Sequence, residues 1–175
     1  MYYSLTCAYI KSQEFVLPHN PVFVNYRTTA GIIFVDKTEY IKRLEEISPN
    51  YRVMFLRPRR FGKSAFLNML CTYYDIHYAG HFNALFGPLY IGQTPTPYHN
   101  KHLILKFDLS SIDISHSMDI VRESFNMKIN SVLENFITKY AKELANPRIS
   151  DIILGDASTS LEKVLVSHNF LFFVL

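Results

Sequence analysis

The chain has 175 residues, of which 49% are hydrophobic and 19% are charged, and its formal net charge is +3. This length predicts one domain with a sizeable core, and the mild basicity leaves a nucleic-acid partner open without requiring one. Cys7 and Cys71 show neither pairing nor metal-ligand spacing, and the N-terminus has no charged leader. These features indicate a cytoplasmic or nuclear protein without a signal peptide or a membrane segment.

The N-terminal part of the chain predicts an extension, a short strand and a helix. Residues 1–19 are interpreted as the extension and residues 20–175 as the domain. The apolar run at 32–35 predicts a strand, and Asp36 with Glu39 has the spacing of a helix capping box. We expect the Asp36 carboxylate to accept N–H bonds from the first turn of the next helix, with a nucleotide contact as the alternative.

The most informative stretch of the sequence follows that helix. Residues 51–56 are apolar, with β-branched and aromatic side chains, and predict a buried strand, whereas residues 65–70 favour a helix. Between them, residues 57–64 end in Gly-Lys-Ser, as a phosphate-binding loop does. Because a strand, a loop and a helix in this order are the context that such a loop requires, the sequence predicts a nucleoside triphosphate site.

The residues of this loop have distinct chemical roles. Gly62 lets the backbone pass close to a phosphate, and the N–H groups of the helix N-terminus attract the anion. Lys63 is expected to reach the β- and γ-phosphates, and Ser64 is the predicted metal residue because its hydroxyl would bind Mg²⁺. The predicted nucleotide-binding residues are Arg57, Arg59, Arg60, Phe61, Gly62, Lys63, Ser64 and Ala65.

The loop departs from the full G-x-x-x-x-G-K-[ST] pattern at Arg57, where the pattern has glycine. A left-handed conformation at Arg57 would cost about 1–2 kcal/mol. The arginines and Lys63 can hold phosphate oxygens through charge-assisted hydrogen bonds. The alternative interpretation is a solvated basic turn that contacts nucleic acid.

The C-terminal half predicts strands that alternate with helices. Residues 102–109 predict a strand, and residues 117–144 predict a long helix because apolar residues recur every three or four positions. Thr159 and Glu162 form a second capping box, and residues 170–175 predict another strand. We therefore predict an α/β fold with the three-layer parallel sheet of a P-loop NTPase, incomplete at its C-terminal side.

Two motifs resemble those of a known family. Residues 33–44 read I-F-V-D-K-T-E-Y-I-K-R-L, and residues 55–64 read F-L-R-P-R-R-F-G-K-S. Their order and separation are similar to those of the AAA-ATPase-like domain family, in which Y-V-D-K-T-x-x-I precedes R-P-R-R-F-G-K-S. The resemblance covers roughly residues 20–145, and arginine at position 57 is usual in this family. It implies ATP and Mg²⁺ as cofactors and a nucleoside triphosphate as the partner.

The resemblance also implies an acidic strand. In P-loop ATPases a carboxylate at a strand end holds Mg²⁺ through water, and this family carries it as L-I-D-E-Y-D. No such string occurs here, so we interpret residues 170–175 as the start of that strand and the chain as the N-terminal part of an ATPase domain. Asp108 follows an apolar run as such an acid would, but it is interpreted as a strand end that caps a turn.

Two function classes follow from these observations. The first is an ATP-binding P-loop module that hydrolyses ATP with Mg²⁺ if a downstream acidic strand completes it. The second is a non-hydrolysing fragment that binds phosphate or nucleic acid.

Overall fold

The computed structural model of the chain describes residues 22–32, 34–47, 53–54, 56, 58, 60–110, 112, 117–145, 152–153, 155–165 and 170–174. In chain order, the elements are α1 (Phe23–Thr28), α2 (Glu39–Glu46), α3 (Lys63–Tyr74), a 3₁₀ helix (Ile76–His81), α4 (Phe82–Phe86), α5 (Tyr90–Gln93), β1 (Leu103–Phe107), α6 (Met118–Lys139), α7 (Ala157–Leu165) and β2 (Phe170–Val174). Within these ranges, no helix combines the length and the apolar character needed to cross a membrane.

β1 and β2 form a parallel pair, with a register that runs from Leu103 opposite Phe170 to Phe107 opposite Val174. Both strands predicted in the C-terminal half are therefore present. Parallel neighbours need a crossover connection, because a tight turn cannot return the chain to the same end of the sheet. The helices α6 and α7 lie in this connection, and α6 is the long helix predicted over 117–144.

The predicted three-layer parallel sheet is wrong for the residues that the structure describes, which are mostly helical and contain a two-stranded sheet. Val53, Met54 and Leu56, from the strand expected before the loop, lie in no strand, and they are 54%, 79% and 78% exposed. The described residues of 32–35 lie in no strand either. Strand propensity measures how well a side chain fits a pleated, half-buried surface, so an apolar run becomes a strand only beside a pairing partner.

Two hydrophobic clusters lie on opposite sides of β1. Ile104 packs into one cluster with α3, whereas Leu103, Leu105 and Phe107 pack into the other with α6. Successive side chains of a strand point to opposite faces, which explains this division. The largest fully buried side chains, from both clusters, include Phe23, Ile41, Tyr73, Phe86, Ile91, Leu133, Ile137 and Tyr140.

The N-terminus of α7 differs from the prediction. The helix begins at Ala157, before the capping box that was expected to start at Thr159. Asp156 accepts the N–H groups of Ser158 at 3.0 Å and of Thr159 at 3.2 Å. The prediction from Thr159 is wrong because Asp156 lies at the helix start and satisfies these first-turn donors with its carboxylate.

Tyr140, just after α6, links this helix to β1. Its hydroxyl accepts the Ile104 N–H at 3.1 Å, and the side chain is fully buried. Burial raises the pKa of Tyr140, and the nearby Asp75 carboxylate raises it further, so the hydroxyl is neutral at physiological pH.

We expect Tyr140→Phe to lower the free energy of unfolding by about 1–3 kcal/mol, because the buried Ile104 N–H loses its acceptor. Urea denaturation at pH 7 measures this change. Tyr98→Phe is the matched control, since Tyr98 is exposed, and it should change the free energy by less than about 0.5 kcal/mol. Equal stability of Tyr140→Phe and the wild type would contradict the role of the hydroxyl.

Candidate phosphate site

The N-terminus of α3 begins at a left-handed glycine. Gly62 has φ 76° and ψ 19°, a conformation that glycine adopts without the strain that a side chain would bring. The Phe66 N–H donates to the Gly62 carbonyl at 2.9 Å, which closes the first turn. Amides of a first helical turn have no intrahelical acceptor and carry the positive end of the helix dipole. This end of α3 therefore has the backbone geometry that binds anions.

The side chain of Lys63 lies across the loop. Its Nζ donates to the Pro58 carbonyl oxygen at 3.0 Å, so the ammonium group lies over the turn that precedes the helix. Phe61 is 62% exposed, and Arg60 and Ser64 are exposed as well. The described part of the loop thus presents a hydroxyl, an ammonium, a guanidinium and an aromatic ring on one accessible turn.

Six of the eight predicted nucleotide-binding residues follow one another at this turn and the start of α3: Arg60, Phe61, Gly62, Lys63, Ser64 and Ala65. Arg57 and Arg59 lie outside the residues that the structure describes. The assignment of all eight to a nucleotide therefore stays a prediction.

The direction of α3 determines where the loop lies relative to the sheet. At the end of α3, Asp75 forms a backbone bridge with His102, at the start of β1. Farther back along α3, Asn68 accepts a hydrogen bond from Lys106, near the end of β1. The distance along α3 from Asn68 to Asp75 is about 10 Å at about 1.5 Å per residue, and the distance along β1 from His102 to Lys106 is about 13 Å at about 3.3 Å per residue. These lengths are similar, and the end of α3 contacts the start of β1. The two elements therefore run in opposite directions. The loop consequently lies toward the carboxyl end of β1, which is where α/β proteins bind ligands.

Asp108 follows β1 at this same end. Its Oδ1 accepts the Ser110 N–H at 3.0 Å and the Ser110 hydroxyl at 2.6 Å. These hydrogen bonds hold the pKa of Asp108 below its usual value. The arrangement is a side-chain turn after a strand, so it supports the structural interpretation of this carboxylate over the metal-binding one.

Asp36 caps a helix, but not the one that was predicted. Its Oδ1 accepts the N–H and the hydroxyl of Thr38 at 2.8 and 2.7 Å, and its Oδ2 accepts the Tyr90 N–H, at the start of α5, at 2.8 Å. The Thr38 hydroxyl accepts the next α5 amide, from Ile91, at 3.1 Å. Both oxygens of Asp36 are therefore used by protein donors, which argues against the alternative nucleotide contact.

The predicted metal role of Ser64 stays a prediction. In the described ranges, no three His, Cys, Asp or Glu side chains lie close enough together to hold a metal ion. Mg²⁺ at nucleotide sites usually takes one or two protein oxygens and completes its shell with phosphate oxygens and water. An exposed Ser64 hydroxyl at the helix N-terminus suits that kind of binding.

Sequence reasoning missed the hydrogen bond between Lys106 and Asn68. A signal for it exists in the sequence, because Lys106 is the charged residue in the otherwise apolar strand Leu103–Phe107. Asn68 gives a second signal, since it lies four residues after Ser64 and hence on the same helix face. Neither signal alone identifies the partner.

The comparisons with known proteins identify the family of the chain. The family model AAA-ATPase-like, described as "Predicted AAA-ATPase", matches residues 23–168. That range includes both sequence motifs and the candidate phosphate loop, so the predicted resemblance to this family is confirmed. No curated protein and no solved structure shows a significant match to the chain.

We expect Asp36→Asn to lower the free energy of unfolding by about 1 kcal/mol at pH 7, because an amide cannot accept from both Thr38 and Tyr90. Burial alone would raise the pKa of Asp36, but the hydrogen bonds from Tyr90 and Thr38 outweigh burial and lower it. A lowered folded pKa contributes stability above the unfolded value of about 3.9, and this contribution is lost as the pH falls through the folded value. The difference between variant and wild type should therefore shrink below about pH 4.

Urea denaturation at pH values from 7 to 3 measures this dependence. Glu46→Gln is the control, because Glu46 is exposed at the end of α2. A difference that is constant across the whole pH range would show that the carboxylate charge of Asp36 does not matter.

Proposed function

Because the chain belongs to the AAA-ATPase-like family, we propose that its loop binds the triphosphate of ATP together with Mg²⁺. The left-handed Gly62 at the N-terminus of α3 is the observation that carries the proposal. Gly62 lies directly before Lys63 and Ser64, so the first amides of α3 belong to the loop. Binding of the phosphates there combines the helix dipole, the backbone donors and a cation in one place.

The side chains have separate roles in the proposed complex. Lys63 leaves the Pro58 carbonyl and donates to the β- and γ-phosphate oxygens, which are stronger acceptors because they are charged. Arg57, Arg59 and Arg60 hold further phosphate oxygens as bidentate donors. The Ser64 hydroxyl binds Mg²⁺, which neutralises part of the charge of the triphosphate.

Hydrolysis is proposed for the chain when a downstream acidic strand completes it. Phosphoryl transfer to water needs a residue that positions the nucleophile and a carboxylate that orients the metal. Asp108 is engaged by Ser110 and does not supply this carboxylate in the arrangement seen here. The activity that we assign to residues 57–65 themselves is binding.

A second candidate is binding of single-stranded nucleic acid. The exposed Phe61 next to Arg60 favours it, because bases stack on accessible aromatic rings beside cations. The substitution Phe61→Ala separates the two candidates. An oligonucleotide that binds through Phe61 would lose affinity in Phe61→Ala, whereas ATP bound through the backbone amides would be affected less.

We expect Lys63→Ala to weaken Mg-ATP binding about 10- to 150-fold, since a lost charge-assisted contact costs about 1.5–3 kcal/mol. Arg60→Ala should weaken binding less, because other cations flank it in the loop. Calorimetric titration of the folded chain with ATP, with and without Mg²⁺, measures these affinities. Lys37→Ala is the control, an exposed lysine outside the loop, and equal affinities of Lys63→Ala and the wild type would refute the assignment.

Gly62→Ala tests the backbone conformation of the site. The new methyl group meets no atom within 4 Å, so its effect comes from the strain of φ +76° rather than from a clash. We expect the first turn of α3 to move so that it relieves this strain of about 1–2 kcal/mol. The movement would misplace the first-turn amides and weaken Mg-ATP binding. Gly80→Ala is the matched control, because its methyl also meets nothing within 4 Å and Gly80 has no positive φ. The same titration should show weakened binding for Gly62→Ala and unchanged binding for Gly80→Ala, and unchanged affinity in both would contradict the role of the left-handed turn.

A further inference from the structure

Lys106 makes a direct contact between β1 and α3. Its Nζ donates to Asn68 Oδ1 at 2.7 Å, and the bond is partly buried. Hydrogen bonds from an ammonium group are shorter and stronger than neutral ones, and partial burial reduces their screening by water. The contact is therefore a directional restraint between the two elements.

This restraint acts on the helix face that carries Ser64. Ser64 and Asn68 are separated by four positions, and residues with this separation are neighbours on one side of a helix. On β1, Lys106 points to the same side as Ile104, because strand side chains alternate, and Ile104 packs in the cluster of α3. The Lys106 contact thus holds the Ser64 face of α3 toward the sheet.

The other end of α3 is held independently. The Asp75 carboxylate pairs with Lys139 of α6 at 2.6 Å, and the Asp75 carbonyl accepts the Asn100 side-chain amide at 2.8 Å. A helix that is anchored at its C-terminus can still turn about its axis or tilt at its N-terminus. The contact at Asn68 restrains both motions, and it lies only about 6 Å along the axis from Ser64.

We propose that Lys106 is a positioning residue for the phosphate site. Acting through Asn68, it sets the orientation of the first turn of α3, and with it the aim of the amides and hydroxyl at 62–64. This inference rests on the proposed function and deepens it. Because several groups of the first turn must converge on one ligand, loss of the contact should be measurable as weaker binding of the triphosphate.

A double-mutant cycle tests the proposal. Lys106→Met and Asn68→Leu each remove the hydrogen bond, and each should weaken Mg-ATP binding about 3- to 10-fold. The double variant should be no weaker than either single variant, because both lose the same contact. Lys106→Arg keeps a cationic donor and should bind with wild-type affinity. Lys101→Met is the control, since Lys101 is an exposed lysine just before β1.

The cycle separates positioning from simple attraction between a cation and phosphate. If Lys106 acted by its charge alone, Asn68→Leu would bind like the wild type, and the two substitutions would not be coupled. Either result overturns the proposal. If Lys106→Met does not fold, Asn68→Leu and Lys106→Arg alone decide, because only the first of these loses the hydrogen bond.

Amide hydrogen exchange in the absence of nucleotide gives a second measurement. The amides of 66–68, the first in α3 that donate within the helix, should exchange faster in Asn68→Leu than in the wild type, while those at the Asp75 end of α3 should not change. Unchanged exchange at 66–68 overturns the positioning role, whatever the affinities. Faster exchange in a protein whose wild type binds no ATP supports the positioning of α3 and refutes the proposed function instead.

Discussion

The arrangement of α3, the 3₁₀ helix and α6 depends on the hydrogen bonds and the ion pair of the buried Asp75 carboxylate. It accepts the His77 N–H at 3.0 Å through Oδ1 and pairs with Lys139 at 2.6 Å through Oδ2, and its side chain is 3% exposed. A buried charge is tolerated only when partners satisfy it, so α3, the 3₁₀ helix and α6 must meet at this point. The Lys139 ammonium reaches it from a partly exposed position, with its stem along the surface of the core. Removing the Lys139 charge would leave the buried Asp75 carboxylate without its counter-charge.

Because Asp75 also bridges to His102, it ties the end of α3 to the beginning of β1. A helix is close to a rigid rod, so anchoring one end determines the region that the opposite end can reach. The N-terminus of α3 consequently lies toward the carboxyl end of the sheet, with Gly62 leading into it. A buried structural ion pair and the candidate phosphate loop are thus linked through one helix. A change that loosens the anchor at Asp75 should therefore also change the orientation of that loop.

Local patterns predicted the elements whose apolar residues have a clear period or form a short apolar run. The helix α6 and the strands β1 and β2 were predicted in this way. The three-layer sheet failed because the run that includes Val53 and Met54 carries strand propensity without a neighbour to pair with among the described residues. The role of Asp36 was half predicted for a similar reason. Its capping chemistry is visible from residue type, but α5, the helix that it caps, begins 54 positions away, and no local pattern encodes that separation.

The candidate phosphate loop shows how far such reasoning extends at a predicted site. Gly-Lys-Ser predicts the chemistry from residue type alone, and the structure adds that Gly62 has a left-handed conformation. The motif contains nothing about the direction in which the helix after it points. That direction comes from contacts outside the motif, at Asp75 and between Lys106 and Asn68. A lysine within a buried strand is costly unless it has a partner. Lys106 in the apolar strand β1 therefore indicates a long-range contact, but the sequence does not identify the partner.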